Sequence, residues 1–178
     1  MTEQVIIAGF GGQGVMSIGQ ILTYAGMTEN KEVSWLPSYG PEMRGGTANC
    51  NVIVSNKAIA SPIVTGATAA LVLNKPSLDK FENTVKADGH LLINSSLIDK
   101  KSTREDINVH YIPANEIAIE LGNTRIANMV MLGAYLELTH VVSIDSVAKG
   151  LGKVLGKAKE HLVEINIEAM KRGAACVA

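Results

Sequence analysis

Near the start of the chain, Gly9-Phe10-Gly11-Gly12-Gln13-Gly14 has the residue types and spacing to hold an anion. It follows a short apolar run, Val5-Ile6-Ile7-Ala8, and precedes Val15, Ile18, Ile21, Leu22 and Ala25 at helical spacing. Strand, glycine turn and helix is the context in which a G-x-G-x-x-G pattern carries meaning. Glycine lets the backbone approach a ligand and adopt positive φ. The helix start adds unpaired N–H groups and the positive end of a dipole. A dinucleotide site also needs an acidic residue at the end of the second strand, to hold a ribose. Here that strand reads Val33-Ser34-Trp35-Leu36-Pro37-Ser38, and Glu29 and Glu32 stand before it, at the wrong end. Three readings stay open: a dinucleotide site without its ribose partner, a tight turn with no ligand, and a site for another anion shared with partner subunits.

A second segment, Ser38-Tyr39-Gly40-Pro41-Glu42-Met43-Arg44-Gly45-Gly46, reads as a loop just after that strand. Arg44 could clamp a carboxylate or phosphate bidentately. The bland reading is that Glu42 and Arg44 are solvated charges on a turn. Met43 beside Tyr39 suits a protein interface. If strands 1 and 2 lie side by side, their carboxyl ends bring both loops to one ligand crevice. The candidate binding residues are therefore Gly9, Gly11, Gly12, Gln13, Gly14, Ser38, Tyr39, Gly40, Glu42 and Arg44.

No catalytic residue stands out. There is no Cys-x-x-Cys, no P-loop pattern, and no glycine-flanked serine of the nucleophile-elbow kind. His90, His110, His140 and His161 fall in separate elements and read as surface or strand-end residues. Asn128, inside the apolar stretch Ile126 to Leu132, is either a satisfied core amide or an interface group. Cys50 and Cys176 are too few and too far apart for a cluster or a thiolate zinc site. No metal site is expected.

The elements that must position the loops come from 178 residues, of which 47% are hydrophobic and 19% charged. That length favours one domain over residues 1–178. Sixteen Lys and Arg against seventeen Asp and Glu give a formal charge of −1, which argues against a nucleic-acid partner. No targeting segment or membrane-length apolar run is visible, so a soluble cytoplasmic protein is expected.

Thr47 to Ser55 alternates like a half-buried strand, and Asn56-Lys57 reads as a hairpin tip with Ala58-Ile59-Ala60 returning. Further strands are expected at Ala69–Leu73, Leu91–Ile93 and Val109–Ile112. A helix should open at Pro76-Ser77, share a face through Leu78, Phe81 and Val85, and stop at Asp88-Gly89. Asn115 should cap a short helix over Glu116 to Leu121. Asn123 precedes an amphipathic helix running from Ile126 to Leu138. Ser143 should cap the next helix, and Gly156 should break it. The last helix carries Ala158, Leu162, Ile165 and Ala169, and Gly26 and Gly173 read as helix ends. The fold class is α/β: a mixed, mainly parallel sheet flanked by helices, with an antiparallel hairpin insertion.

The two glycine segments together, Ile7 to Val15 and Pro37 to Cys50, resemble the gamma subunit of 2-oxoacid:ferredoxin oxidoreductases. The likeness continues through Leu73-Asn74-Lys75-Pro76-Ser77-Leu78, Asn94-Ser95-Ser96, Ile112-Pro113-Ala114-Asn115-Glu116 and Gly122-Asn123-Thr124-Arg125, and so covers essentially the whole chain. The second loop is similar to its form in 2-oxoglutarate and 2-ketoisovalerate enzymes rather than pyruvate enzymes. Thr65 to Ala69 departs from the family, which often has a proline and an aspartate there.

The resemblance implies a subunit of an enzyme that converts a 2-oxoacid and coenzyme A to acyl-CoA and carbon dioxide while reducing ferredoxin. Alpha and beta subunits, with delta in some assemblies, would carry the thiamine diphosphate and iron–sulfur clusters. This chain would bind no cofactor alone but would contribute assembly and CoA contacts. Gly11, Gly12, Gln13 and Gly14 would face CoA phosphates or a partner. Tyr39, Gly40, Glu42 and Arg44 would lie near the intersubunit cleft. Isolated, the chain would self-associate through the face it offers to alpha. Two other functions compete: a free-standing nucleotide or CoA binder, and a purely structural interaction module.

Overall fold

Runs of β-branched and apolar residues without alternation form strands buried on both faces, and such runs build the centre of this molecule. The computed structural model describes residues 1–39, 47–156 and 161–178. Its strands are β1 (Thr2–Phe10), β2 (Glu32–Tyr39), β3 (Thr47–Ser55), β4 (Ala67–Val72), β5 (Val85–Asn94) and β6 (Asn108–Ile112). Its helices are α1 (Val15–Thr28), α2 (Lys75–Phe81), α3 (Ala114–Glu120), α4 (Ala127–Thr139), α5 (Ile144–Leu155) and α6 (Val163–Ala174). The strands form one sheet in the order β2-β3-β1-β4-β5-β6. β1, β4, β5 and β6 pair in parallel, while β3 runs antiparallel to both neighbours, β1 and β2. The fold is therefore the expected mixed α/β sheet, and its antiparallel insertion is the β2–β3 pair.

The two faces of the sheet are covered unequally. Val5, Ile7, Val52, Val54, Leu71 and Leu92 point to one side, where they pack with apolar residues of α1, α3, α4, α5 and α6. Ile6, Ala8, Ala70, Val72, Leu91 and Ile93 point to the other, under Leu78 and Phe81 of α2. Thus β1 hands the chain to one face and its parallel neighbour β4 hands it to the opposite face. The carboxyl ends of β1 and β4 flank the topological switch point, where ligand crevices form in open α/β sheets.

Several expectations need correction. β1 and β2 are not adjacent, because β3 lies between them. No strand returns over Ala58–Ala60 after Asn56-Lys57, since β3 already has partners on both edges. The helix opened at Pro76 ends at Phe81 and passes through a 3-10 turn, Glu82–Thr84, into β5. Asp88-Gly89 lies inside that strand, with Asp88 at φ 63 and the register to β4 shifted. Asn115 does not cap α3; its Oδ1 accepts from Asn94 Nδ2 at 2.8 Å. α4 is not amphipathic, because every residue from Ala127 to Leu136 is buried.

Gly26 lies near the end of α1, as expected, and is also a packing position, whereas Gly173 lies inside α6 and is a packing position rather than its cap. A first side-chain carbon at Gly26 would meet Val33 Cγ1 at 2.6 Å, and one at Gly173 would overlap the Val130 carbonyl of α4. Other features match. Pro37 sits in an edge strand, the position in a sheet where proline is tolerated. Ser143 Oγ accepts from Ser146 N at 3.2 Å, and Gly156 ends α5 at φ 71. Ala158 lies outside the described residues.

Candidate functional site

The glycine loop leaves β1 at Phe10 and enters α1 through Gly14. Gly12 has φ 93 and Gly14 has φ 74, a backbone region that favours glycine. Gln13 closes the turn with its own side chain. Phe10 N donates to Gln13 Oε1 at 2.6 Å, Gln13 N donates to Phe10 O at 3.2 Å, and Gln13 Nε2 donates to Leu73 O at 3.3 Å. A first side-chain carbon at Gly9 would stand 2.6 Å from Gln13 Oε1 and push that amide from its place. Gly14, the residue before α1, supplies no capping side chain, and the first turn carries no acidic residue. The positive end of a fourteen-residue helix thus has no side-chain counter-charge in its first turn.

One cavity opens beside this loop. It measures about 320 Å³ and lies between Gly12, Gly14 and Ser17 on one side and Asn123, Arg125 and Asn128 on another. Val154 and Leu155 of α5 and Leu162 before α6 add apolar wall. Asn123 Oδ1 accepts from Arg125 N at 3.0 Å and so shapes the 3-10 turn Thr124–Ile126 that carries Arg125. Asn128 Nδ2 donates to Gly14 O at 3.3 Å, and its Oδ1 accepts from Met129 N at 3.0 Å. Of the two readings of Asn128, the satisfied core amide holds, and that amide ties α4 to the glycine loop. An arginine, a glycine loop and an uncapped helix start share one cavity with an apolar flank. That arrangement can bind an anionic group attached to a neutral body.

The second expected loop is only partly described. Ser38 and Tyr39 close β2, paired with Asn49 and Ala48 of β3, which in turn pair with Ala8 and Gly9 of β1. The ends of β1 and β2 therefore reach the same edge of the sheet, one strand apart, or roughly 9–10 Å. Gly40, Glu42 and Arg44 lie outside the described residues. Arg125 and Asn123 fall outside the candidate binding residues that the sequence suggests. Their signal was faint: an arginine beside an Asn cap, just ahead of a continuous apolar run.

Titratable groups elsewhere are structural. Burial alone would raise the Glu29 carboxyl, but the Ser143 N–H at 2.7 Å and the Lys31 ammonium at 3.0 Å outweigh it and hold it at about 2. His90 and His110 meet across β5 and β6, with Nδ1 and Nε2 3.2 Å apart. Burial, then the neighbouring His90, lowers His110. Burial pushes the Cys50 thiol up to about 12, while Cys176 is exposed near the chain end, so these thiols do not form a cluster donor set. Among the described residues no three His, Cys, Asp or Glu side chains gather as a metal site, and no helix is long and apolar enough to cross a membrane.

Fold and cavity together define a mixed α/β fold with a glycine loop beside an arginine-lined cavity. The chain belongs to the pyruvate ferredoxin/flavodoxin oxidoreductase family, whose sequence model matches residues 4–176. It is 37% identical over 171 residues to ketoisovalerate oxidoreductase subunit VorA of Methanothermobacter marburgensis, covering 96% of this chain and 36% of that protein. The chain thus spans about a third of the length of that relative. It is 34% identical to 2-oxoglutarate synthase subunit KorC of Methanocaldococcus jannaschii, covering 97% and 92% of the two chains. Among solved structures it superposes on the gamma subunit of a Geobacter sulfurreducens keto/oxoacid ferredoxin oxidoreductase, with TM-score 0.86, 28% identity and coverage of 99% and 97%. The 2-oxoglutarate:ferredoxin oxidoreductase of Magnetococcus marinus, solved with 2-oxoglutarate, coenzyme A and succinyl-CoA bound, shares the fold. Its TM-score is 0.89 at 24% identity, covering 99% of this chain and 31% of that one.

Proposed function

We propose that residues 1–178 act as one domain, the gamma part of a cytoplasmic 2-oxoacid:ferredoxin oxidoreductase, and that its glycine-loop cavity takes the phosphate end of coenzyme A. The observation that carries this reading is the meeting of Gly12, Gly14 and Arg125 around one cavity with an apolar flank. Coenzyme A joins a cluster of phosphates to a long neutral arm, so the arginine and loop amides suit one end and the α5 wall suits the other. The family and the CoA-bound relative support it. Arg44 would add a second cation from the β2–β3 connection. Thiamine diphosphate and iron–sulfur clusters would sit on alpha, beta and, where present, delta subunits, with ferredoxin reduced by the assembly. The two cysteines of this chain offer no cluster site of their own.

The test is Arg125→Ala in the assembled oxidoreductase. A charge-assisted contact contributes about 1.5–3 kcal/mol, so KM for CoA should rise roughly 10- to 100-fold with kcat within about twofold. An unchanged KM for CoA rejects the site. Co-purification of the tagged chain should also bring down the larger subunits; recovery of the chain alone rejects the assembly.

A further inference from the structure

The sequence points to Gln13 as a residue that faces the ligand, but its side-chain amide is engaged at both ends. Oε1 takes the Phe10 N–H at 2.6 Å and Nε2 reaches Leu73 O at 3.3 Å, which also fixes which end of the amide is which. Leu73 N in turn donates to Ala8 O at 2.9 Å. One side chain therefore bridges the ends of β1 and β4, across the switch point where a dinucleotide fold would seat its pyrophosphate. Resting on the CoA reading above, we propose that Gln13 is a positioning residue. It clasps the glycine loop to the end of β4, presents Gly12 and Gly14 to the Arg125 cavity, and closes the β1–β4 crevice to ligand.

The clasp explains two sequence features at once. Gly9 leaves room for Gln13 Oε1, and the strand-2 carboxylate of a dinucleotide site has no use when that crevice is shut. It also separates this loop from one that merely turns the chain: a plain turn needs no amide long enough to reach a second strand.

The decisive variant is Gln13→Met, which keeps length and bulk but loses the polar clasp. In the ligand-free full chain, hydrogen exchange at the Phe10 amide should accelerate at least tenfold. In the assembled oxidoreductase KM for CoA should rise at least fivefold, with kcat within about twofold. Gln13→Glu, which keeps an acceptor for Phe10 N and loses the donor to Leu73, should leave Phe10 exchange slow. Fast exchange in Gln13→Glu overturns the clasp. A raised KM without faster exchange makes Gln13 a direct contact, and faster exchange without a raised KM makes it only structural; either overturns the proposal. If Arg125→Ala and Gln13→Met both leave KM unchanged, the CoA reading falls and the positioning role with it. If only Gln13→Met does, the positioning role alone falls.

Discussion

Asn128 and Gly14 should be energetically coupled, and the size of that coupling can be worked out. A first side-chain carbon on Gly14 would overlap Asn128 Nδ2 and stand 3.0 Å from its Cγ. Gly14→Ala therefore meets two obstacles. Its φ of 74 costs an alanine about 1–2 kcal/mol. The clash also displaces an amide that is 7% exposed and breaks its bond to Gly14 O, at a cost of about 1–2 kcal/mol. The single variant should lose about 2–4 kcal/mol. Asn128→Ala should lose about 1–2 kcal/mol, because Gly14 O still accepts from Ile18 N at 3.0 Å. In the double variant the clash is gone and the backbone strain of the new alanine adds to the loss of the amide, so the double loss should fall short of the sum by about 1–2 kcal/mol. Urea unfolding of the four proteins measures it. Additivity within about 0.5 kcal/mol would refute the claim that this amide fixes the loop to α4.

Two further perturbations test the scaffold. Gly173→Ala and Gly133→Ala each drive a methyl into backbone of the facing helix, Val130 O and Met170 O respectively, which no rotamer change relieves. Either should cost about 3 kcal/mol in thermal or urea unfolding, and near-wild-type stability would mean that α4 and α6 are not in close contact. The Glu29 carboxyl lies at about 2 against an ordinary 4.5. Folding therefore gains stability that is complete above about 4.5 and drains as pH falls toward 2, because the unfolded chain takes up that proton first. The amount is about 2–3 kcal/mol at neutral pH, and Glu29→Gln should lower stability there while flattening this part of the acid limb; an unchanged acid limb contradicts the Ser143–Lys31 pairing.

Local chemistry was legible wherever one segment decides its own conformation. Val5 to Ala8, the glycine loop, α1, a strand over Thr47–Ser55 and the Ser143 cap all follow from nearest-neighbour rules, and all are present; the half-buried alternation of that strand is not, because Val52 to Ser55 are buried on both faces. What failed depended on contacts far along the chain. Gly173 looks like a helix end because only the distant Val130 shows why it must be small. Asp88-Gly89 looks like a stop because its turn preference is real, yet Asp88 N donates to Asp106 O across β5's flank and the strand continues. The spacing of Ile126, Val130, Ala134 and Leu138 suggests an amphipathic α4, but Met129, Met131 and Gly133 fill the remaining face.

The same distinction governs the site. G-x-G-x-x-G specifies a backbone shape, and that shape is present. What the shape binds is set by which strand lies beside β1 and which side chain fills the crevice between them, and neither is local. Here β3 occupies the place where strand 2 of a dinucleotide fold would bring its carboxylate, and Gln13 ties the opposite edge of β1 to β4. The loop is thereby closed on its β4 side and left open toward Arg125, which lies far beyond α2 in the chain and is carried by a turn that Asn123 shapes. The missing acid on strand 2 and the glutamine inside the glycine loop are thus two signs of one change. The free side of the loop faces the helices α4 and α5 rather than the sheet crevice, and in the function proposed above Arg125 with the loop amides decides what is held there.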